Sequence, residues 1–341
     1  MNPKMKKIKV GVVGVGHLGK FHVEKYARMA DVELVGIAEI DKERRESLSQ
    51  QYKVPGYTDY RRLISEVEAV SIVVPTTLHA AVAKDFLNEK VDVLIEKPIS
   101  RSLSEAEELI DLAKAKGCLL QIGHLERFNP AFLKTKSLIT IPLFIESHRL
   151  SPFKARGTDV DVILDLMIHD LDLILHLVAS PADQIQAVGV PVVSPRVDIA
   201  NVRIRFQNGC VANITASRIS LQEMRKMRIF QPGAYLSLDL GKKSYTMVRL
   251  EQKGAGLSKG PRFLAESGEP DSGDALEMEL RSFVEAVRTR SIPLVKGEDG
   301  REALAMALRI NQEIKVAQAA HPPELLAEYS PGPFSEEDFT I

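Results

Sequence analysis

Six residues, Gly14-Val15-Gly16-His17-Leu18-Gly19, constrain the fold of this chain more than any others because of what flanks them. Ile8 to Val13 form a short, mostly apolar, β-branched run that reads as a buried strand. Phe21, Val23, Tyr26 and Ala27 then recur at helical spacing. A lone GxGxxG is weak, but strand, GxGxxG and helix in that order are the setting of a dinucleotide-binding turn, and each glycine has a task there. Gly14 permits the tight turn, Gly16 lets backbone approach a pyrophosphate, and Gly19 lets helix and strand pack closely. The helix start adds unpaired N–H groups and the positive end of its dipole. Gly14, Gly16, His17, Leu18 and Gly19 are therefore expected to hold the phosphates of a dinucleotide.

The segments that follow extend this beginning. Glu33 to Ile40 reads as a second strand with Glu39 at its end, 20 residues after Gly19, where a carboxylate accepts both ribose hydroxyls. A carboxylate there repels a 2′-phosphate, so NAD is favoured over NADP, although Lys42, Arg44 and Arg45 keep NADP open. A short helix is expected after Thr58, then a buried strand over Ala69–Val74. Pro75-Thr76-Thr77-Leu78-His79 reads as a loop beside the nicotinamide and its ribose, with a helix from Ala80 to Glu89; His79 alternatively reads as a helix-start histidine without chemistry. The next buried strand ends in Glu96-Lys97-Pro98. In an open α/β sheet the carboxyl end of a strand faces the ligand crevice, and the proline fixes the backbone after the lysine. Taken alone, Glu96 and Lys97 read equally well as a solvated strand end. Ser102-Leu103-Ser104-Glu105 opens a helix in capping-box style, Gly117 stops it, and Leu119–Gly123 is a further strand. Strand and helix thus alternate through a first domain, residues 1–124, of Rossmann type: a doubly wound parallel sheet.

The pattern changes over residues 125–341, the expected second domain. Phe144–Leu150, Ile185–Val193, Ala200–Phe206, Val211–Arg218, Lys226–Phe230, Ala234–Leu240 and Tyr245–Leu250 read as strands with short turns between them, and Asn208-Gly209 is a strong two-residue hairpin turn. This predicts an α+β domain built on a large, mainly antiparallel, open-faced sheet with flanking helices. Such a face usually needs a partner, so a homodimer or homotetramer through that sheet is expected. Gly254–Asp274 reads as a polar loop, Leu276–Arg288 and Arg301–Ala320 as helices, and the Pro-rich tail after His321 as a wrapping or fraying end.

One helix of this half carries a polar stripe. In Leu164–His176, otherwise apolar, Asp165, His169, Asp172 and His176 follow at spacings of 4, 3 and 4, which places them on one face. An Asp and a His one turn apart can bond each other or converge on one hydroxyl, and histidine titrates where proton transfer is needed. Asp165 and His169 are the candidates for chemistry; a stripe facing solvent or a subunit is the alternative. No metal is expected, since no third ligand motif stands nearby.

Composition narrows the rest. A net charge of −1 over 341 residues offers no electrostatic case for nucleic acid or an anionic membrane. Cys118 and Cys210 stand alone, without a disulfide or zinc pattern. The basic start is followed by an apolar run broken by Gly11, Gly14 and Gly16, which does not read as a signal peptide, and no stretch has the length of a membrane span. A cytoplasmic protein is expected.

Together Gly14–Gly19, Pro75–His79, Glu96-Lys97-Pro98 and Asp165-Leu166-Met167-Ile168-His169 resemble, over nearly the whole chain, the Gfo/Idh/MocA family of nicotinamide-dependent sugar oxidoreductases. The resemblance implies that Lys97 positions and polarises the reacting hydroxyl or carbonyl. His169 would be the acid/base, with Asp165 orienting it or the substrate. It also implies that Pro75, Thr76, Thr77, His79, Glu96 and Lys97 border the cofactor. Within the family, Gly123-His124-Leu125-Glu126-Arg127-Phe128-Asn129-Pro130 is similar to a segment of bacterial UDP-N-acetylglucosamine 3-dehydrogenases. Those make a 3-keto sugar nucleotide that is then aminated on the route to lipid A. The lead Asp161-Val162-Ile163-Leu164 departs from the glycine-rich one usual before the Asp-x-x-x-His helix. Arg127, Asn129 and Arg149, with Arg156 as a further candidate, would hold sugar hydroxyls or diphosphate. Two other functions remain: a dehydrogenase of another sugar or inositol-type polyol, and a non-catalytic dinucleotide-binding sensor.

Overall fold

The computed structural model of the chain describes residues 6–153, 160–251, 262–270 and 273–319. From the amino terminus run β1 (Ile8–Val13), α1 (Gly19–Arg28), β2 (Val32–Ala38), α2 (Lys42–Tyr52), β3 (Gly56–Tyr57), a 3₁₀ turn (Tyr60–Leu63), β4 (Ala69–Ile72), α3 (Thr76–Asn88), β5 (Asp92–Glu96), α4 (Leu103–Lys116) and β6 (Leu120–Gly123). All six strands pair in parallel in the order β3-β2-β1-β4-β5-β6. That order reverses direction at β1, which puts the Gly14–Gly19 turn at the topological switch point. Val10, Val12, Val93, Leu94 and Ile95 are fully buried, as strands covered on both faces must be. Ser102 caps α4 by accepting the Glu105 N–H, and Gly117 ends it at φ +68°. One boundary differs from expectation. α3 starts at Thr76 rather than Ala80, with Pro75 at its N-cap, so the segment read as a loop is the first turn of a helix. Proline supplies no N–H and its fixed φ suits a helix entry, which two following threonines disguise.

The next elements are α5 (Pro130–Thr135), β7 (Phe144–Leu150), a π-helical turn (Ile163–Met167) continuous with α6 (Ile168–Val178), β8 (Ala182–Val190), β9 (Ile199–Phe206), β10 (Val211–Ser217), β11 (Met224–Gln231), β12 (Ala234–Asp239), β13 (Ser244–Leu250) and β14 (Phe263–Gly268). Eight strands form one sheet in the order β14-β13-β12-β11-β7-β10-β9-β8. All its pairs are antiparallel except β7 with β10. Side chains alternate strictly: Ile145, Ser147 and Arg149 point inward with Ala212, Ile214 and Ala216, while Phe144, Glu146 and His148 point outward. Of the inward set, Ile145, Ala212, Ile214 and Ala216 join Met167, Leu171 and Ile174 in one hydrophobic core. Gly209 turns the β9–β10 hairpin at φ +88°, as its Asn-Gly sequence predicts. β14 lies inside the stretch expected to be a polar loop. Its residues are almost all exposed, and its strand form comes from pairing with β13, Tyr245 opposite Gly268.

Two helices close the described chain, α7 (Ala275–Thr289) and α8 (Gly297–Ala319). The chain divides into two compact units, and the division is not a single cut after residue 124. The first unit runs through Phe128 and regains Asp274–Leu304; the second takes Asn129–Gly273 and continues from Ala305. The reason is burial: Leu280, Phe283 and Val284 of α7 share a core with Val10, Val12, Val23 and Tyr26. Among the described residues no helix is long and apolar enough to cross a membrane.

Candidate active site

In the first unit the glycine turn is as tight as its sequence suggests. Gly14 has φ +83° and donates its N–H to Ala38 O at 2.8 Å; a Cβ on it would stand 2.7 Å from Val73 O. A Cβ on Gly19 would stand 1.9 Å from Gly14 O. Gly16 differs: the nearest atom to a Cβ there is Arg44 Nη1 at 3.9 Å, so its backbone is bare on that side. Glu39 follows β2, where its Oε2 accepts the Val15 N–H at 2.9 Å and its Oε1 accepts the Asp41 N–H at 3.0 Å. This fixes a half-buried carboxylate against the glycine turn. His17 and Leu18 are exposed on the turn, His17 edge-on to Phe21. A bare glycine backbone at a helix start with a carboxylate beside it fits a dinucleotide.

At the end of β5, the Lys97–Pro98 peptide is cis. Glu96 is turned away from solvent, its Oε1 3.2 Å from His22 Nε2 and its Oε2 accepting the Lys97 N–H at 3.3 Å. Burial raises the Glu96 carboxyl, but the His22 bond and the electrostatic influence of His22, Lys97 and His79 outweigh it and hold the group below the ordinary carboxylate range. His79, 1% exposed, has Nδ1 2.8 Å from Pro98 O and Nε2 2.9 Å from Val74 O. A neutral imidazole carries one N–H and serves one of these carbonyls; only the protonated ring serves both, and burial, which lowers the His79 pKa, opposes that form. The His79 ring, expected beside the cofactor, lies between two backbone carbonyls, while Pro75 and Thr77 are exposed and Thr76 is half-buried. His22 was not anticipated. Its signal was available: Gly19, His22, Val23 and Tyr26 form the buried stripe of α1 at helical spacing.

The second unit carries the Asp/His stripe. Asp165 lies in the π-helical turn and His169 in the first turn of α6, both half-buried. The stripe is not uniform: Asp172 is 1% exposed, whereas His176 is exposed beside Phe132, their ring centroids 6.2 Å apart. Asp161 Oδ1 accepts the Leu164 N–H at 2.9 Å, giving the turn a polar start. Asp170, one residue past His169, is buried and bonded to Ser147 Oγ at 2.9 Å and to Arg149 Nε at 2.6 Å. Arg149, a candidate for sugar or diphosphate, is thus 4% exposed and engaged with Asp170. Its inward phase on β7, after Ile145 and Ser147, carried that information. Asn129 is also internal, capping α5 through the Ala131 N–H at 3.1 Å and donating to Leu240 O at 2.9 Å. In the first unit Arg127 is 4% exposed with Nη2 3.8 Å from Asp299. Arg156 and the tail after His321 lie outside the described residues. Elsewhere in the first unit, a hollow of about 960 Å³ at the amino-terminal ends of β1, β4 and β5 is lined by the Asp92–Arg290 pair and Arg288 and by none of the candidate residues.

Comparison with known proteins agrees with this architecture. The Gfo/Idh/MocA oxidoreductase family, NAD-binding Rossmann fold, matches residues 8–124, and the Gfo/Idh/MocA C-terminal domain matches residues 146–231. The chain is similar to UDP-N-acetylglucosamine 3-dehydrogenase of Acidithiobacillus ferrooxidans, 37% identical over 310 residues covering 90% of this chain and 97% of that one. The solved structure of that enzyme matches with a TM-score of 0.85, 36% identity and coverage of 92% of this chain and 99% of that one. Similarity extends to myo-inositol 2-dehydrogenase of Thermotoga maritima, 25% identical over 327 residues, 90% of this chain and 96% of that one.

Proposed function

The chain belongs to the Gfo/Idh/MocA oxidoreductase family, and from that premise we propose that it is a nicotinamide-dependent dehydrogenase oxidising the 3-hydroxyl of UDP-N-acetylglucosamine to the 3-keto sugar nucleotide. The observation that carries this reading is the end-to-end match to the Acidithiobacillus enzyme, at a level of identity well above that to the inositol dehydrogenase. NAD is the cofactor, because Glu39 is fixed by two backbone N–H groups where a 2′-phosphate would meet its charge; exposed Arg44 near Gly16 is the feature on which NADP use would rest. When bound, the cofactor supplies the acceptor for the electron pair leaving the sugar carbon. Lys97 holds and polarises the reacting oxygen, a ring nitrogen of His169 takes the hydroxyl proton, and Asp165 orients that ring. Asn129, Arg149 and Arg127, each 4% exposed and each with an internal partner, are better supported in capping and ion-pair roles than as substrate contacts. The protein works in the cytoplasm as a homodimer or homotetramer through the outward face of its second sheet, where Phe144, Phe230 and Tyr235 stack on one another.

The test is reduction of NAD or NADP by the purified protein with UDP-N-acetylglucosamine, UDP-glucose or free myo-inositol. Turnover of UDP-N-acetylglucosamine with NAD, reduced by about two to four orders of magnitude in His169→Ala and in Lys97→Met, is the expected result. Turnover of inositol alone would favour the polyol reading, and dinucleotide binding without any turnover would favour a sensor.

A further inference from the structure

The residues around Lys97 form a connected frame inside the first unit. The Lys97 N–H is held by Glu96 Oε2 at 3.3 Å, and the other oxygen of that carboxylate is held by His22 Nε2 at 3.2 Å. His22 stands on the helix that begins at Gly19, is fully buried, and among the described residues its Nδ1 has no partner, so its one polar engagement is with Glu96. Space for the carboxylate is reserved by the neighbouring strand: Gly123 lies opposite Glu96, and a Cβ there would stand 3.0 Å from Glu96 Cδ. On the far side of Lys97 the Pro98 carbonyl lies against His79, whose other nitrogen reaches Val74 O two residues past the adjacent strand. The backbone of Lys97 is bracketed on both sides by buried side chains from α1 and α3.

We propose that His22 and Glu96 are positioning residues that aim Lys97, with His22 acting only through the Glu96 carboxylate. The inference rests on the proposed role of Lys97 and assigns Glu96 to Lys97 rather than to the cofactor. A buried carboxylate without its donor loses the bond that fixes its rotamer, and the Lys97 N–H then loses a defined acceptor. Displacing a reacting group by a fraction of an ångström is enough to slow a step that depends on alignment.

The experiment compares His22→Leu, which removes the donor at similar volume, with His22→Gln, whose amide N–H₂ can replace Nε2. Glu96→Gln, which presents an N–H₂ or a weaker acceptor to Lys97, is the second site. Two readouts are taken: steady-state constants, and the rate at which an acylating reagent modifies the Lys97 amine, followed by peptide mass spectrometry. The expected result is a fall of about tenfold to a hundredfold in kcat for His22→Leu and Glu96→Gln. The KM for the dinucleotide stays near that of the parent, His22→Gln recovers most of the rate, and Lys97 acylation is several-fold faster in His22→Leu only among the two His22 variants. Equal losses in His22→Leu and His22→Gln with unchanged Lys97 acylation would reduce His22 to packing and overturn the proposal, as would an unchanged kcat in Glu96→Gln. Because acylation needs no substrate, it decides the positioning claim even if Lys97→Met retains full turnover, the outcome by which the catalytic reading of Lys97 itself would fail.

Discussion

Asp198 shows at the scale of one residue how a carboxylate becomes structural. Fully buried, it accepts N–H groups from Val192 and Val193 at 2.8 Å and from Ser194 at 2.9 Å, together with the Ser194 hydroxyl and Arg218 Nε. Burial raises its carboxyl, but these bonds outweigh it, so the group ionises below the ordinary aspartate range. A depressed folded-state value means that the unfolded chain takes up the proton first as pH falls. The contribution is therefore complete above the ordinary value near 3.8 and is lost as pH drops below it. Asp198→Ala takes the carboxylate from Arg218 Nε and from three backbone N–H groups, and a loss of about 3–5 kcal/mol in urea unfolding at neutral pH is expected. The difference between variant and parent should shrink as the midpoint is followed into acid. Asp198, His22 and Asp170 share a history in the sequence: each is a polar residue on a core-facing phase, visible only once the phase of its element is known.

At the scale of elements, the strands and helices of the first 124 residues were legible because propensity, period and turn chemistry agree there. Gly14, Gly19 and Gly117 occupy positions where the backbone itself requires glycine. The disagreements fall where an element takes its form from a neighbour. β14 has no buried face of its own and exists as a strand because β13 offers a free edge. The π-helical turn before α6 has no sequence signature, yet it sets where Asp165 stands relative to His169. α7 reads correctly as an amphipathic helix, but which core its apolar stripe meets is decided by β1 and α1, at the other end of the first unit's sequence. Phe283 of α7 is fully buried among residues of β1 and α1. Phe283→Ala is expected to cost the first unit about 3–5 kcal/mol, read as an earlier denaturation midpoint with loss of dinucleotide binding in the same transition.

At the scale of the whole molecule, the proposed homo-oligomer would form through the outward face of the eight-stranded sheet. That face mixes the Phe144, Phe230 and Tyr235 cluster with charge pairs such as Arg228–Glu146 and Arg205–Asp183, a composition suited to a specific interface. Light scattering on the eluted protein is expected to give two or four times the chain mass. Phe230→Glu with Tyr235→Glu should shift it toward one chain without changing the circular dichroism; a monomeric parent would end this reading.

The sequence by itself determined the parallel sheet and the glycine turn with its carboxylate, because each of these is set by local backbone demands or by a short period in the chain. Only the tertiary structure decided that Glu96 serves His22 and Lys97, that His79 lies between two carbonyls, that Arg149 belongs to Asp170, and that Asp274–Leu304 return to the first unit. The reason is physical: a buried polar group must find a partner wherever the packing of distant segments supplies one, and no local pattern says which segment that is.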